Sequence, residues 1–183
     1  MLIEHITTIQ TGLFAKPAGT GDVVYLQSKH FDENGQLLGE IHADLNADRI
    51  SEKHLLRQGD VLFAAKGTKN FATVYTKPNK PAVASTSFFV IRLTDKKVLP
   101  EYLAWFLNHP DTQTFIKDNA RGTAIPSIRK TVLENLEIPI PSLEKQRVII
   151  RLSDLAKKES TLRIAILQQR KFLIDQQIIK AIK

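Results

Sequence analysis

Cysteine is absent from this 183-residue chain, and methionine and tryptophan occur once each. The missing thiols rule out disulfides, thiolate metal sites and a cysteine nucleophile, and they suit a reducing cytoplasm. No run comes near the roughly 20 uninterrupted apolar residues that a membrane span needs, so no membrane partner is expected. The opening Met1-Leu2-Ile3-Glu4-His5 carries an acid within a short apolar run and no basic leader, which argues against a secretory signal.

Catalytic patterns are missing as well. Lys66-Gly67-Thr68 lacks the upstream glycine of a phosphate loop. Gly19-Thr20-Gly21 is followed by Val24, where a dinucleotide fingerprint needs a third glycine. The five histidines, His5, His30, His42, His54 and His109, form no His-x-x-x-His pair, so no metal site is expected. Ser85, Ser87 and Ser127 do not sit in nucleophile elbows. An Asn/Asp-Pro-Pro-Tyr/Phe methyltransferase tetrad is absent, and Asn108-His109-Pro110-Asp111 resembles it only superficially. We therefore expect no catalytic residues and no cofactor.

Charge is plentiful but unevenly placed. Lys plus Arg number 26 against 19 Asp plus Glu, a net of +7. Residues 1–52 carry a net −5, residues 53–130 a net +8, residues 131–141 a net −2 and residues 142–183 a net +6. A basic middle beside an acidic start fits a domain with one face turned to a polyanion; an ordinary solvated surface is the alternative.

The first 141 residues read as mixed α and β. Val23–Leu26, Val61–Ala65, Phe71–Thr76 and Ser87–Leu93 have the β-branched and aromatic content of strands. Asn34-Gly35 and Gly59-Asp60 are turn signals. Lys66-Gly67-Thr68-Lys69-Asn70 forms a polar loop between two strands. Pro100 opens a helix bearing Tyr102, Leu103, Phe106 and Leu107, and Pro110 opens another, with Phe115 and Ile116 on its inner face. Arg121–Pro126 reads as a loop, Ser127 as the cap of a short helix through Leu133, and Leu136–Pro141 as a short edge strand.

The last 42 residues, Ser142 to Lys183, contain neither glycine nor proline. Ser142 suits an N-cap, and Leu152, Leu155, Leu162, Ile166 and Leu173 follow 3-4 spacing, interrupted by Glu159 and Gln169. Ile174, Ile178 and Ile182 extend an apolar face toward the end. Such a helix would be about 60 Å long, more than one small domain can cover, so a coiled coil with another helix is expected. The fold class is thus α+β: a mixed α/β domain over 1–141, then one long helix over 142–183.

Gly122-Thr123-Ala124-Ile125-Pro126-Ser127-Ile128, then Leu136-Glu137-Ile138-Pro139-Ile140-Pro141-Ser142-Leu143-Glu144-Lys145-Gln146 and a long helix, resembles the DNA specificity subunit of type I restriction–modification systems. Leu56-Arg57-Gln58-Gly59-Asp60-Val61-Leu62-Phe63 with Gly67, and Phe88–Leu93, are similar to further features of that family. The resemblance implies a target-recognition domain followed by a spacer helix, a partner methyltransferase subunit, and a restriction subunit joined through the complex. Full-length members carry two such domains and two helices, whereas this chain shows one of each. The resemblance therefore implies a half-subunit or a truncated product, with two copies pairing antiparallel as a homodimer through Leu152, Leu155, Leu162, Ile166 and Leu173. Double-stranded DNA is the implied ligand. Candidate contacts are Lys66, Thr68, Lys69 and Asn70 in one basic loop, and Arg121, Thr123, Ser127, Arg129 and Lys130 in the other. The helix cations Arg147, Arg151, Lys157, Lys158, Arg163, Arg170 and Lys171 suit either solvated flanks or a methyltransferase docking surface.

Overall fold

Short β-rich runs separated by turns pair into two sheets. A computed structural model describes all residues except 33, 68, 77–79, 123–125 and 183, and the side chain of Arg49. Among the described residues the strands are β1 (Thr7–Thr11), β2 (Val23–Leu26), β3 (Ala43–Leu45), β4 (Val61–Ala64), β5 (Ala72–Val74), β6 (Ala82–Ala84) and β7 (Phe88–Leu93). The helices are α1 (Pro100–Asn108), α2 (Pro110–Asp118), α3 (Lys130–Glu134) and α4 (Leu143–Ile182). The chain divides into two compact units, Met1–Gln146 and Arg147–Lys183.

In the first unit, the larger sheet has the order β1-β7-β4-β5 and is antiparallel throughout. The smaller sheet, β3-β2-β6, pairs β2 antiparallel to β3 and parallel to β6. Every residue of β2, β4 and β6 is buried. Strand alternation sends Leu62 and Ala64 of β4 toward the smaller sheet, where they join Val24, Leu26, Ala82 and Ala84. Phe31, Phe71 and Phe88 close that core as a triangle with centroids 5.6–6.0 Å apart. The opposite face of β4 and β5 is covered by α1.

One ion pair fixes the register of this arrangement. Asp60 is 1% exposed, and its carboxylate accepts from Arg92 Nε at 2.7 Å, Arg92 Nη2 at 2.6 Å and the Arg57 amide at 2.8 Å. The β4–β7 register pairs Val61 with Ile91, which sets Asp60 opposite Arg92. Gly59 precedes it with φ +89°, a turn that an L side chain would strain.

The long helix starts from a second buried polar group. Gln146 is fully buried; its Oε1 accepts from the Leu99 amide at 2.9 Å. Its Nε2 donates to the carbonyls of Lys97 at 2.7 Å and Pro141 at 2.9 Å. Ser142 Oγ accepts from the Lys145 amide at 3.4 Å, as expected of the cap. In the second unit, every described residue of α4 from Asp154 onward is exposed.

Several expectations need correction. Phe115 is 47% exposed, and Thr112 joins Ile116 on the inner face of α2. Ser127 is not a helix cap: Arg129 holds that position and α3 begins at Lys130. Leu136–Pro141 forms a single bridge, Glu137 to Leu2, because Pro139 and Pro141 have no N–H to extend a ladder. Lys66 and Arg121, placed in loops, each form an isolated bridge. Ile174 stands one residue along from Leu173, hence about 100° around the helix, so Ile174, Ile178 and Ile182 make a second apolar line. The structure adds β1, β3 and β6 to the strands expected from the sequence.

Two predictions follow from these buried polar groups. Gln146→Leu strands one amide and two carbonyls, and should lower unfolding free energy in urea by about 2 kcal/mol. Burial, with the Asp60 carboxylate adding to it, pushes the Tyr75 phenol from 10.0 up to about 12. A raised folded value means stability is fully present below pH 10.0 and falls as pH rises to about 12. The loss should approach about 2 kcal/mol, and Tyr75→Phe should remove that part of the alkaline slope.

Candidate nucleic-acid interface

Beyond Ala64 the β4 strand runs on as an extended segment and meets the chain again some sixty residues later. Ala65 accepts from the Ile128 amide at 2.8 Å, and the Gly67 amide donates to Pro126 at 2.9 Å. Lys66 thereby bridges Ser127 in antiparallel sense. Ser127 bridges Arg121 in turn: the Arg121 amide donates to Ser127 at 3.1 Å, and the Ser127 amide to Arg121 at 2.8 Å. Bridged residues project their side chains to the same face. The result is a row, Lys66–Ser127–Arg121, whose outer members stand about 10 Å apart, two ladder spacings.

Each cation in the row is followed by a glycine with positive φ, Gly67 at +99° and Gly122 at +101°. The chain can therefore turn away directly after presenting the charge. Buried Ile128 roots the middle segment in the core. Lys66, Lys69, Arg121, Arg129 and Lys130 are all exposed. Residues 65–71 and 119–130 contain no acidic side chain, so their own formal charge is wholly positive.

The other expected contacts are placed as follows. Arg129 occupies the N-cap position of α3 without a side-chain capping bond and is exposed. Lys130 Nζ pairs with Glu134 at 3.0 Å, which offsets part of its charge. Asn70 Nδ2 donates to the Ala64 carbonyl at 2.8 Å, so this amide holds the loop closed and keeps only part of its capacity for a ligand. Thr68 and Thr123 lie outside the described residues. Sequence reasoning found both loops but missed that Ser127 joins them; the glycine after each cation was the available signal. An apolar cavity of about 360 Å³, lined by Leu26, Phe31, Ile41 and Tyr75 among others, opens at the other end of β4 and β5. It is separate from this row. Among the described residues no group of three or more His, Asp or Glu side chains could hold a metal ion.

The described site is thus a basic rim on acid-free segments that continues the antiparallel sheet beyond β4, and comparison with known proteins decides its context. Residues 6–169 match the family model described as the type I restriction modification DNA specificity domain. The chain belongs to that family. Two curated relatives come from Methanocaldococcus jannaschii. The type I restriction enzyme MjaVIII specificity subunit is 28% identical over 105 residues, 57% of this chain and 24% of its own length. The putative type I restriction enzyme MjaX specificity subunit is 30% identical over 113 residues, 60% of this chain and 26% of its own. This chain therefore spans about a quarter of the length of each.

Solved structures agree on the fold. The S subunit of a type I restriction–modification system from M. genitalium superposes with TM-score 0.59 at 18% identity, covering 86% of this chain and 38% of that one. The HsdS subunit from Thermoanaerobacter tengcongensis gives TM-score 0.59 at 18% identity, covering 87% and 37%. The specificity domain here is therefore a mixed sheet and helix unit with a long C-terminal helix. No helix of its described residues is long and apolar enough to cross a membrane.

Proposed function

We propose that this chain is the sequence-specific DNA-recognition component of a type I restriction–modification complex. It is non-catalytic and cytoplasmic, and it directs a methyltransferase subunit, and a restriction subunit through the complex, to a bipartite site. The observation that carries this reading is the Lys66–Ser127–Arg121 row, with Lys69 and Arg129 beside it on segments free of acid. Lysine and arginine there neutralise phosphates or reach guanine edges, and Ser127 can serve either.

The helix supplies assembly. Leu152, Leu155, Leu162, Ile166 and Leu173 are each between 57% and 63% exposed, an apolar line that water would otherwise cover. A second copy pairing antiparallel covers it. The second line, Ile174, Ile178 and Ile182, with Ile164 and Leu167 ahead of it, is exposed as well and with the helix cations supports docking of the methyltransferase subunit. Two identical domains related by a two-fold axis read an inverted repeat with a spacer between the half-sites.

Fluorescence anisotropy with duplex DNA tests the reading. Binding should weaken steeply with salt. Lys66→Ala combined with Arg121→Ala should lower affinity about ten-fold or more and reduce the log–log salt slope by about 2. Lys130→Ala, which removes a cation already paired with Glu134, should cost less. Absence of binding at low salt, or a double variant equal to the parent, contradicts the proposal. Methylation mapping with the partner methyltransferase should return an inverted repeat; an asymmetric sequence would require a second, different recognition chain.

A further inference from the structure

We infer that the two polar residues interrupting the apolar line of α4 face each other across the helix pair and set its register. The inference rests on the pairing reading above and adds which residues meet. In an antiparallel pair with a two-fold axis, facing positions lie equally far on either side of one centre. Glu159 and Gln169 are each five residues from Ile164. With the centre there, Leu162 faces Ile166, Leu155 faces Leu173, and Glu159 faces Gln169 of the second copy, while Leu152 farther out faces Gln176. Every one of these couples joins the two alternating positions of the 3-4 repeat, as antiparallel packing requires.

The competing registers each leave Glu159 or Gln169 facing an apolar residue. A slide of one heptad in one direction sets Glu159 against Leu162 and Gln169 against Leu152. A slide in the other sets Gln169 against Ile166 and Leu155 against Lys180. Parallel pairing in register brings the two Glu159 carboxylates together. Only the register centred on Ile164 gives both interruptions a partner, and it does so twice by symmetry.

The local chemistry suits that contact. Arg163 Nη2 already donates to Glu159 Oε1 at 2.6 Å along the same helix, while both side chains remain more than half exposed. The second carboxylate oxygen is left to accept from the Gln169 amide N–H of the other copy. A carboxylate held between a guanidinium and an amide keeps its charge compensated where an apolar neighbour would leave it stranded. The occupant of this face is accordingly a second copy of the chain, because the polar positions are complementary to themselves.

The absence of cysteine makes the test direct, since any introduced thiol is the sole one. Leu155→Cys chain is mixed in turn with Leu173→Cys, Ile166→Cys and Lys180→Cys chains and treated with a short bismaleimide. Counting only cross-links between unlike chains, told apart by mass, the Leu173→Cys mixture should cross-link about ten-fold more than the other two, and Leu155→Cys alone should give little. Adding Glu159→Leu and Gln169→Leu to each chain should spread the cross-links over all three mixtures. Equal yields before those changes, an unaltered distribution after them, or strong cross-linking of Leu155→Cys with itself overturns the register. Light scattering on the untreated chain separates the two levels: a dimer with the wrong couples sinks the register alone, whereas a monomer sinks the pairing as well.

Discussion

The fold turns on a buried carboxylate. Asp60 sits where β4 begins, directly across from Arg92 on β7, and its oxygens take both guanidinium donors and the Arg57 amide. A slip of one residue between β4 and β7 would separate this pair and turn the inward side chains of β4 outward. Removing either partner would leave the other charge poorly compensated in a largely buried position, a cost of about 3 kcal/mol or more. What the pair secures lies at the far end of the strand. With β4 fixed in register, Lys66 emerges beside Ser127, and Ser127 beside Arg121. The basic rim is in this sense a product of the sheet, which positions charges that long flexible side chains alone would leave scattered.

Much of this was readable from local pattern. β2, β4 and β7 are apolar runs bounded by turn residues, and Pro100 and Pro110 open helices where a first helical turn tolerates proline. The 40-residue α4 was legible because nothing in it interrupts a helix. What escaped is what only distant partners specify. β3 and β6 are three residues each, too short for any period to register, and β1 exists because Thr7–Thr11 lies along Phe89–Leu93. Ser127 looks like a helix cap in isolation; its place between Lys66 and Arg121 depends on a contact across some sixty residues. The two basic loops were visible separately, and their union was not.

A buried amide at Gln146 marks where the helix leaves the domain. One acceptor and both donor hydrogens are satisfied by backbone groups of Leu99, Lys97 and Pro141, so the first turn of α4 is bound into the first unit. Eight residues further on, the side chains are all exposed. The chain thus changes from a segment whose polar groups are met internally to one whose apolar groups are not. Its exposed apolar line is interrupted by two polar residues, Glu159 and Gln169.

The claim on which the account stands is that DNA is met by the rim formed from the Lys66 and Arg121 segments. Amide chemical-shift mapping of the isotope-labelled chain during titration with duplex DNA tests it most directly. The account predicts that shifts concentrate in residues 66–70 and 121–130, with Ser127 among the largest. Shifts centred instead on the loop between β1 and β2, or confined to α4, would contradict it.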